Sequence, residues 1–271
     1  MTMGMSTPPS TLPVSPEGRR YGRRPDLPDA RDYKLRLASP LPLPPQVDLS
    51  LHLGPVIDQG SLGSCTACAA VEMREFLCAK YQRMSPPPVL SPLFQYYEER
   101  VLDGDTGLDN GSTIRTAMWV LNRVGVCAEP NYPYDPAKFA IAPDKTTVLA
   151  AGLYKGGAYH LVSGLQSMRE CLASGYVFEL GFDVYESFES RQVAETGIMP
   201  VPDTNRETYF GGHAVLVYGY DDSARMLLVR NSWGEGWGLR GNFQMPYAYA
   251  ATGHVSDCWI MHLGPPWVSK T

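Results

Sequence analysis

Cys65 stands where a glycine-rich polar loop gives way to an apolar helical pattern. From residue 66 onward, apolar side chains recur every three or four positions, which predicts a helix over about 66–81. The first N–H groups of a helix have no partner inside it, and the helix dipole is positive at that end. Both effects stabilise a thiolate, so Cys65 is a candidate nucleophile. Gln59, six residues earlier, is a candidate hydrogen-bond donor at the same place.

The bulk composition excludes several classes of protein. The net charge of −5 over 271 residues argues against a nucleic-acid partner, because such proteins are usually basic. No apolar run reaches the roughly 18 residues of a membrane span, so we expect no membrane partner. No apolar stretch follows Met1, which argues against a Sec-type signal peptide. We therefore expect a chain that is cytoplasmic or exported by a non-Sec route.

The six cysteines are scattered, and only Cys65 and Cys68 lie close together. This spacing is unlike the framework of a disulfide-stapled secreted domain. The close pair forms a C-x-x-C motif, for which a thiol–disulfide oxidoreductase and a structural zinc site are two interpretations. The first needs a preceding βαβ pattern and the second needs another pair of ligands at suitable spacing, and the sequence offers neither. We expect Cys68 to be a small core residue and predict no metal site.

Residues 1–42 form a proline-rich leader. Ten prolines lie within residues 1–46, and this density disfavours both helices and central strands. Residues 19–24 include four arginines. This basic cluster is interpretable as a solvated tail, a processing site or a contact with an acidic groove. We hypothesise that part of the segment 19–41 lies over the body of the protein and shields the site around Cys65.

The body begins at about residue 43 with helices and continues with strands. Besides the helix at 66–81, the pattern predicts three more helices and five strands. The helices are expected at about 92–102, 114–121 and 163–175, and the strands at 177–182, 213–220, 226–231, 242–245 and 258–263. This order predicts an α+β chain with a mainly helical lobe, about 43–150, and a β lobe, about 151–271. Ligand sites favour the cleft between such lobes.

His213 and Asn231 are the remaining candidates for chemistry. His213 is predicted at the mouth of a buried strand, and Asn231 at the end of the next strand. If the two strands are antiparallel neighbours, the two side chains lie close together. An amide oxygen that accepts the imidazole N–H fixes the tautomer and the direction of the ring. Trp233 lies in the glycine-rich loop that follows.

These motifs resemble the papain family of cysteine peptidases. Residues 59–65 resemble its oxyanion glutamine and nucleophile, residues 212–215 its histidine strand and residues 231–238 its asparagine loop. The likeness runs from about residue 43 to about residue 263. It implies two lobes, one mainly helical and one an antiparallel β-barrel-like lobe, with the active-site cleft between them.

The resemblance implies a cysteine endopeptidase that needs no cofactor or metal. A Cys65 thiolate and a His213 imidazolium would form an ion pair, and the thiolate would attack a peptide carbonyl to give a thioester acyl-enzyme. Gln59 and the Cys65 N–H would hold the oxyanion. Asn231 would orient His213, and Trp233 would shield that hydrogen bond from solvent. We expect a monomer whose partners are peptide or protein substrates.

Several positions depart from the family pattern. Leu62 and Asp109 stand where many members have the two halves of a disulfide, and Thr66 replaces a tryptophan after the nucleophile. Gly212 replaces a polar residue before the histidine, and Ser112 replaces a glycine that pairs with the substrate backbone. For substrate binding, the resemblance implies the residues Gly111, Ser112, Trp233, Gly212 and Met261, with Met261 at the base of the specificity pocket.

The leader is much shorter than the helical inhibitory propeptide of most members, and it resembles the leader of some bacterial ones. We therefore expect a zymogen-like chain. Two alternatives keep the same fold: a catalytically silent binding protein, and amidase or transpeptidase chemistry at the same site. Alkylation of Cys65 together with peptide hydrolysis separates them from a peptidase.

Overall fold

The computed structural model of the protein describes residue 12 and the ranges 14–36 and 42–263. The helices predicted before residue 125 are confirmed to about one residue at their starts. Ser91 caps the second of them, because its Oγ accepts a hydrogen bond from the Phe94 N–H at 3.1 Å. The helices are α1 (Cys65–Lys80), α2 (Pro92–Asp103), α3 (Ile114–Arg123), α4 (Lys145–Ala151), α5 (Gly164–Ala173), α6 (Arg191–Thr196) and α7 (Tyr247–Ala250).

The strands include all five that the pattern predicts and four more. The additional ones are short or lie in segments whose partners are distant in sequence, so no local pattern marks them. The strands are β1 (Arg23–Arg24), β2 (Gln46–Asp48), β3 (Ser112–Thr113), β4 (Tyr159–Val162), β5 (Phe178–Tyr185), β6 (Tyr209–Asp221), β7 (Met226–Arg230), β8 (Asn242–Pro246) and β9 (Val255–Met261).

Seven strands form one antiparallel sheet in the order β4-β9-β5-β6-β7-β8, with β2 paired to β6. The sheet of the barrel-like lobe is not closed, because in the described residues β4 and β8 end it without pairing to each other. The expected adjacency of the histidine and asparagine strands is confirmed. β6 pairs with β7 through a turn that follows Asp221.

Strand β6 supplies residues to two hydrophobic cores. Successive side chains of a strand point to opposite faces of the sheet. Val215 and Val217 belong to the core of the β lobe, whereas Ala214 and Leu216 belong to the core that includes α1, α2 and α3. Cys65 lies in this second core. The helical layer therefore packs directly on the strand that carries the candidate histidine.

The described part of the leader crosses the body as an extended segment. Strand β1 pairs in parallel with β3, and the preceding residue, Gly22, forms a parallel bridge with Gly212 on β6. Further along, Lys34 bridges to Leu161 on β4. The leader therefore contacts both the helical layer and the sheet. Residues 37–41 of the segment hypothesised to lie over the body fall outside the described residues. Among the described residues, no helix combines the length and apolarity needed to cross a membrane.

Asp109 holds the loop before α1 where the family pattern has a disulfide. The side chain is completely buried, and its Oδ1 accepts hydrogen bonds from the Gly63 N–H at 3.0 Å and from the Tyr96 hydroxyl at 2.5 Å. Its Oδ2 accepts from Arg20 of the leader at 2.9 Å. Leu62 is completely buried beside Leu93 and Phe139. Hydrogen bonds to one carboxylate thus fix the loop that a covalent bond would otherwise fix.

Replacing Asp109 with alanine should destabilise the protein, because it leaves buried donors without an acceptor. We expect Asp109→Ala to lower the free energy of unfolding in urea by about 2–4 kcal/mol. Asp203 is an exposed carboxylate and serves as the control, for which a change within about 0.5 kcal/mol is expected on replacement by alanine. Equal losses in the two variants would contradict the role of Asp109.

Candidate active site

Cys65 is the first residue of α1 and is completely buried. The Cys65 sulfur accepts hydrogen bonds from the backbone N–H groups of Ala214 and Gly22. Burial outweighs these two donors and raises the pKa of the Cys65 thiol to about 12. The buried carboxyl groups of Glu179 and Glu99 act in the same direction. With the leader in place, Cys65 is therefore a neutral thiol at neutral pH.

His213 lies inside β6, four residues after its start, and not at the mouth of the strand as the sequence pattern suggested. Its Nε2 is 2.8 Å from Asn231 Oδ1, just after β7. The same Oδ1 accepts a hydrogen bond from the Ser232 N–H at 2.9 Å, which fixes the orientation of the amide. Since Oδ1 only accepts, Nε2 carries the proton. The other ring nitrogen, Nδ1, is buried without a hydrogen-bond partner and is left as the base.

Trp233 covers His213 on one face. The two rings are stacked, with centroids 5.0 Å apart and planes 24° apart. Tyr21 of the leader meets the His213 ring edge-on, with centroids 5.6 Å apart. Burial lowers the pKa of His213 to about 4, although the hydrogen bond to Asn231 opposes this shift. The positive charges of Arg19 and Arg23 lower the pKa further.

These two pKa values define the protonation state of the pair. The Cys65 thiol has a pKa of about 12 and the His213 imidazolium a pKa of about 4, so the proton stays on sulfur between these limits. The expected thiolate–imidazolium pair is thus not the favoured state while the leader is bound. Removing the leader admits water and removes two positive charges near His213, and both changes favour the ion pair.

Gln59 is held in a fixed orientation beside the nucleophile loop. Its Oε1 accepts a hydrogen bond from the Ser232 hydroxyl at 2.6 Å, and its Nε2 donates to the Leu62 carbonyl at 2.8 Å. An amide nitrogen carries two hydrogens, so a second N–H remains to be directed at a ligand. Ser232 therefore joins the glutamine to the loop that carries Asn231. The sequence pattern gave no signal for this role of Ser232.

The backbone of Gly22 lies against two candidate substrate-binding glycines, Gly111 and Gly212, and against the loop that precedes Cys65. A Cβ added to Gly22 would lie 1.8 Å from the Gly63 carbonyl oxygen, and one added to Gly111 would lie 1.8 Å from the Gly22 oxygen. The Gly22 carbonyl accepts a hydrogen bond from the Ser112 N–H at 2.9 Å, whereas its N–H faces the Cys65 sulfur. The carbonyl is thus directed away from the nucleophile, and the thiol has no acyl carbon to attack there.

The basic cluster of the leader meets an acidic groove, one of the three interpretations of that cluster. Arg20 pairs with Asp109 at 2.9 Å, and Arg19 lies over the Trp233 ring with its guanidinium carbon 4.1 Å from the centroid. Ion pairs between these arginines and the described part of the body are Arg19–Glu189, Arg20–Asp109, Arg23–Asp183, Arg23–Asp257 and Arg24–Asp103. Most of the partners are largely buried, so these pairs are less screened than surface pairs.

Met261 is the residue that the resemblance places at the base of the specificity pocket. It is completely buried in the core shared with α1 and α3, and a Cβ added to Gly156 would be 1.8 Å from its sulfur. Arg23 of the leader pairs with Ser112 in the strand register, and its side chain forms ion pairs with Asp183 and Asp257. These two acids were not found from the sequence, because only the register of β5 and β9 brings them together.

All six cysteines are free and buried, including Cys68. Among the described residues, no group of three His, Cys, Asp or Glu side chains is arranged to hold a metal ion. The chemical resources of the site are therefore a thiol, an oriented imidazole and hydrogen-bond donors on one side of the thiol. These are the groups that nucleophilic attack on an acyl group requires.

The comparisons with known proteins agree with this geometry. The sequence model of the family described as papain family cysteine protease matches residues 43–262. The chain therefore belongs to the papain family of cysteine proteases. An uncharacterized peptidase C1-like protein of Acanthamoeba polyphaga mimivirus is 38% identical over 216 residues, covering 76% of this chain and 68% of that protein. Cathepsin J of Mus musculus is 28% identical, and the match covers 78% of this chain but only 61% of the cathepsin.

Solved structures give the same result for the fold. Xylellain, a cysteine protease from Xylella fastidiosa, superposes with a TM-score of 0.84 and is 35% identical, over 90% of this chain and 96% of that one. Digestive procathepsin L 3 of Tenebrio molitor has a TM-score of 0.70 at 20% identity, over 90% of this chain and 77% of that one, which shows the fold alone. The expected papain-like architecture is confirmed.

Replacing Gly22 with alanine should expose the nucleophile. The added Cβ would collide with the backbone oxygen of Gly63, so the leader must move away from Cys65. We expect Gly22→Ala to raise the rate of Cys65 alkylation by iodoacetamide at least roughly tenfold at neutral pH. Peptide mapping by mass spectrometry identifies the labelled cysteine.

Leu27→Ala is the matched control, because Leu27 belongs to the same leader but its side chain is exposed. Its alkylation rate should equal that of the unaltered chain. The same rate in Gly22→Ala as in Leu27→Ala would show that the leader does not restrict access to the thiol.

Proposed function

We propose that the protein is a cysteine endopeptidase in which Cys65 is the nucleophile and His213 the general base and acid. In the open enzyme, His213 Nδ1 takes the thiol proton and the thiolate attacks the carbonyl carbon of a peptide bond. The tetrahedral intermediate collapses to a thioester as protonated His213 donates to the leaving amine. A water molecule, activated by His213, then hydrolyses the thioester. The observation that carries this proposal is the His213–Asn231 hydrogen bond at 2.8 Å beside the buried thiol.

Gln59 and the start of α1 would stabilise the oxyanion. The donors would be the remaining Nε2 hydrogen of Gln59 and the backbone N–H of Cys65. Preorganised donors of this kind typically contribute about 3–4 kcal/mol to the transition state. The two hydrogen bonds that fix the Gln59 amide support this role, because a freely rotating amide would pay for its orientation during the reaction.

The leader would keep the enzyme in an inactive, zymogen-like state by two effects. It occupies the backbone track at Ser112, where a substrate strand would pair, and it presents an N–H to the sulfur instead of a carbonyl. It also keeps the thiol protonated, since its burial of Cys65 and the positive charges of Arg19 and Arg23 disfavour the ion pair. Substrate binding would involve Gly111, Ser112, Gly212 and Trp233 once the leader has left.

Hydrolysis of fluorogenic peptides by the full-length Gly22→Ala chain tests the peptidase. We expect a peptidyl epoxide to label only Cys65 in that chain. Adding Cys65→Ala should abolish hydrolysis. Cys68→Ala, one turn along the same helix, should keep the activity. Product analysis addresses the alternatives: labelling without hydrolysis points to a silent binding protein, and transfer of the acyl group to an added amine points to transpeptidase chemistry.

Asn231→Ala should lower kcat more than it raises KM. Without the amide oxygen, the His213 ring loses its fixed tautomer and direction, which affects the transition state more than substrate binding. We expect kcat to fall on the order of 10²-fold, with KM changed less than about threefold. Asn205→Ala, at an exposed asparagine, is the control. An effect confined to KM would contradict the orienting role of Asn231.

A further inference from the structure

The leader places one arginine side chain in a closed pocket of the body. Arg23 pairs with Ser112 in the register of β1 and β3, and its side chain is only 3% exposed. A Cβ added to Gly181 would lie 2.6 Å from Arg23 Nε, and one added to Gly212 would lie 3.1 Å from the same atom. The absence of side chains at these two glycines therefore creates the space that the arginine fills.

Two carboxylates face the guanidinium from different strands. Asp183 on β5 lies 3.7 Å from one terminal nitrogen of Arg23, and Asp257 on β9 lies 3.5 Å from the other. In the described residues, Arg23 Nε has no hydrogen-bond partner. The pocket thus recognises a positive charge mainly through the paired carboxylates.

We propose that this pocket is the substrate-specificity site of the open enzyme and that it takes an arginine or lysine side chain. The pocket includes Gly181, Gly212, Asp183 and Asp257, and the leader fills it with Arg23 as a substitute for the substrate. This proposal rests on the proposed peptidase function, because it names the class of peptide that the same cleft binds.

The acidic character of the pocket belongs to the body and not to the leader. Asp183 Oδ2 is 3.0 Å from His254 Nδ1, which leaves Oδ1 directed at the pocket. Asp257 has a left-handed backbone, φ 54°, and its Oδ2 accepts a hydrogen bond from the Ser256 hydroxyl at 3.1 Å. The contacts with His254 and Ser256 do not involve the leader, whereas Asp257 Oδ2 also accepts a hydrogen bond from the leader N–H of Asp26 at 3.2 Å.

The position of the pocket relative to the thiol defines which substrate residue it reads. Gly22 lies against the Cys65 sulfur and Arg23 is the next residue, paired with Ser112. The leader turns an N–H toward the sulfur, so a substrate strand that presents a carbonyl there runs in the opposite direction. On that track the pocket receives the residue before the one whose carbonyl is attacked. An apolar side chain there would bury two carboxylates without a counter-charge, which is costly. The pocket therefore favours cations and also rejects apolar residues.

Binding by a full-length chain that carries Cys65→Ala, Gly22→Ala and Arg23→Ala tests this specificity without requiring catalysis. These changes prevent cleavage, displace the leader and vacate the pocket. The probes are fluorescein-labelled peptides that differ at one position, the residue immediately before the one that contributes the scissile carbonyl. This residue is arginine, lysine or leucine. We expect the arginine and lysine peptides to bind at least roughly tenfold more tightly than the leucine peptide.

Asp183→Asn and Asp257→Asn should each reduce that preference, and the double variant should abolish it. The double variant should also bind the leucine peptide more tightly, because that peptide no longer buries two carboxylates without a counter-charge. Asp222→Asn is the matched control, because Asp222 pairs with Arg169 and not with Arg23. The proposal is overturned if the leucine peptide binds as tightly as the arginine peptide, if no peptide binds, or if the preference survives the double variant.

The same peptides, offered to the Gly22→Ala, Arg23→Ala chain with Cys65 intact, separate the two proposals. A preference for arginine in binding without any cleavage would refute the peptidase and keep the specificity pocket. Cleavage of all peptides with equal kcat/KM would keep the peptidase and refute the pocket. Cleavage with kcat/KM higher for arginine, lost with the two carboxylates, supports both.

Discussion

The contact between the Gly22 backbone and the Cys65 sulfur is the interaction on which the described state of the protein depends. Only a residue without a side chain fits there, because a Cβ would lie 1.8 Å from the Gly63 carbonyl oxygen. That close fit excludes water from the sulfur, and the loss of water raises the pKa of the thiol. One steric constraint thus covers the Cys65 sulfur and also keeps its thiol protonated. These two effects would disappear together when the leader leaves.

Electrostatic complementarity explains how an irregular, proline-rich segment is held in that position. Four arginines of the leader form ion pairs with the body, and Tyr21 packs against His213 and Trp233. The carboxylates that they meet, such as Asp109 and Asp257, are largely buried and already fixed by hydrogen bonds within the body. Preorganised partners reduce the entropy lost when long side chains are immobilised. The same charges that anchor the leader would select a basic side chain in a substrate.

The sequence predicts the site better than it predicts the leader. The candidates Cys65, His213 and Asn231 follow from a helix start and two strands, which have local periodic signals, and the structure brings the last two within hydrogen-bonding distance. The short strands β1 and β3, the position of Met261 and the pairing of Asp183 with Asp257 around Arg23 depend on contacts between segments far apart in sequence. No local pattern specifies such contacts. Whether the sheet of the barrel-like lobe closes depends on such contacts too, since strand composition does not determine it.

The protonation state of Cys65 tests the central claim most directly. Burial raises the pKa of all five other thiols, so thiolate absorbance below about pH 9 reports Cys65 alone. A thiol with a pKa of about 12 is ionised at pH 7 only to a fraction on the order of 10⁻⁵. We expect no thiolate signal in the full chain from about pH 5 to about pH 9, and a clear signal near pH 7 in Gly22→Ala. A thiolate already present at neutral pH in the unaltered chain would contradict this expectation.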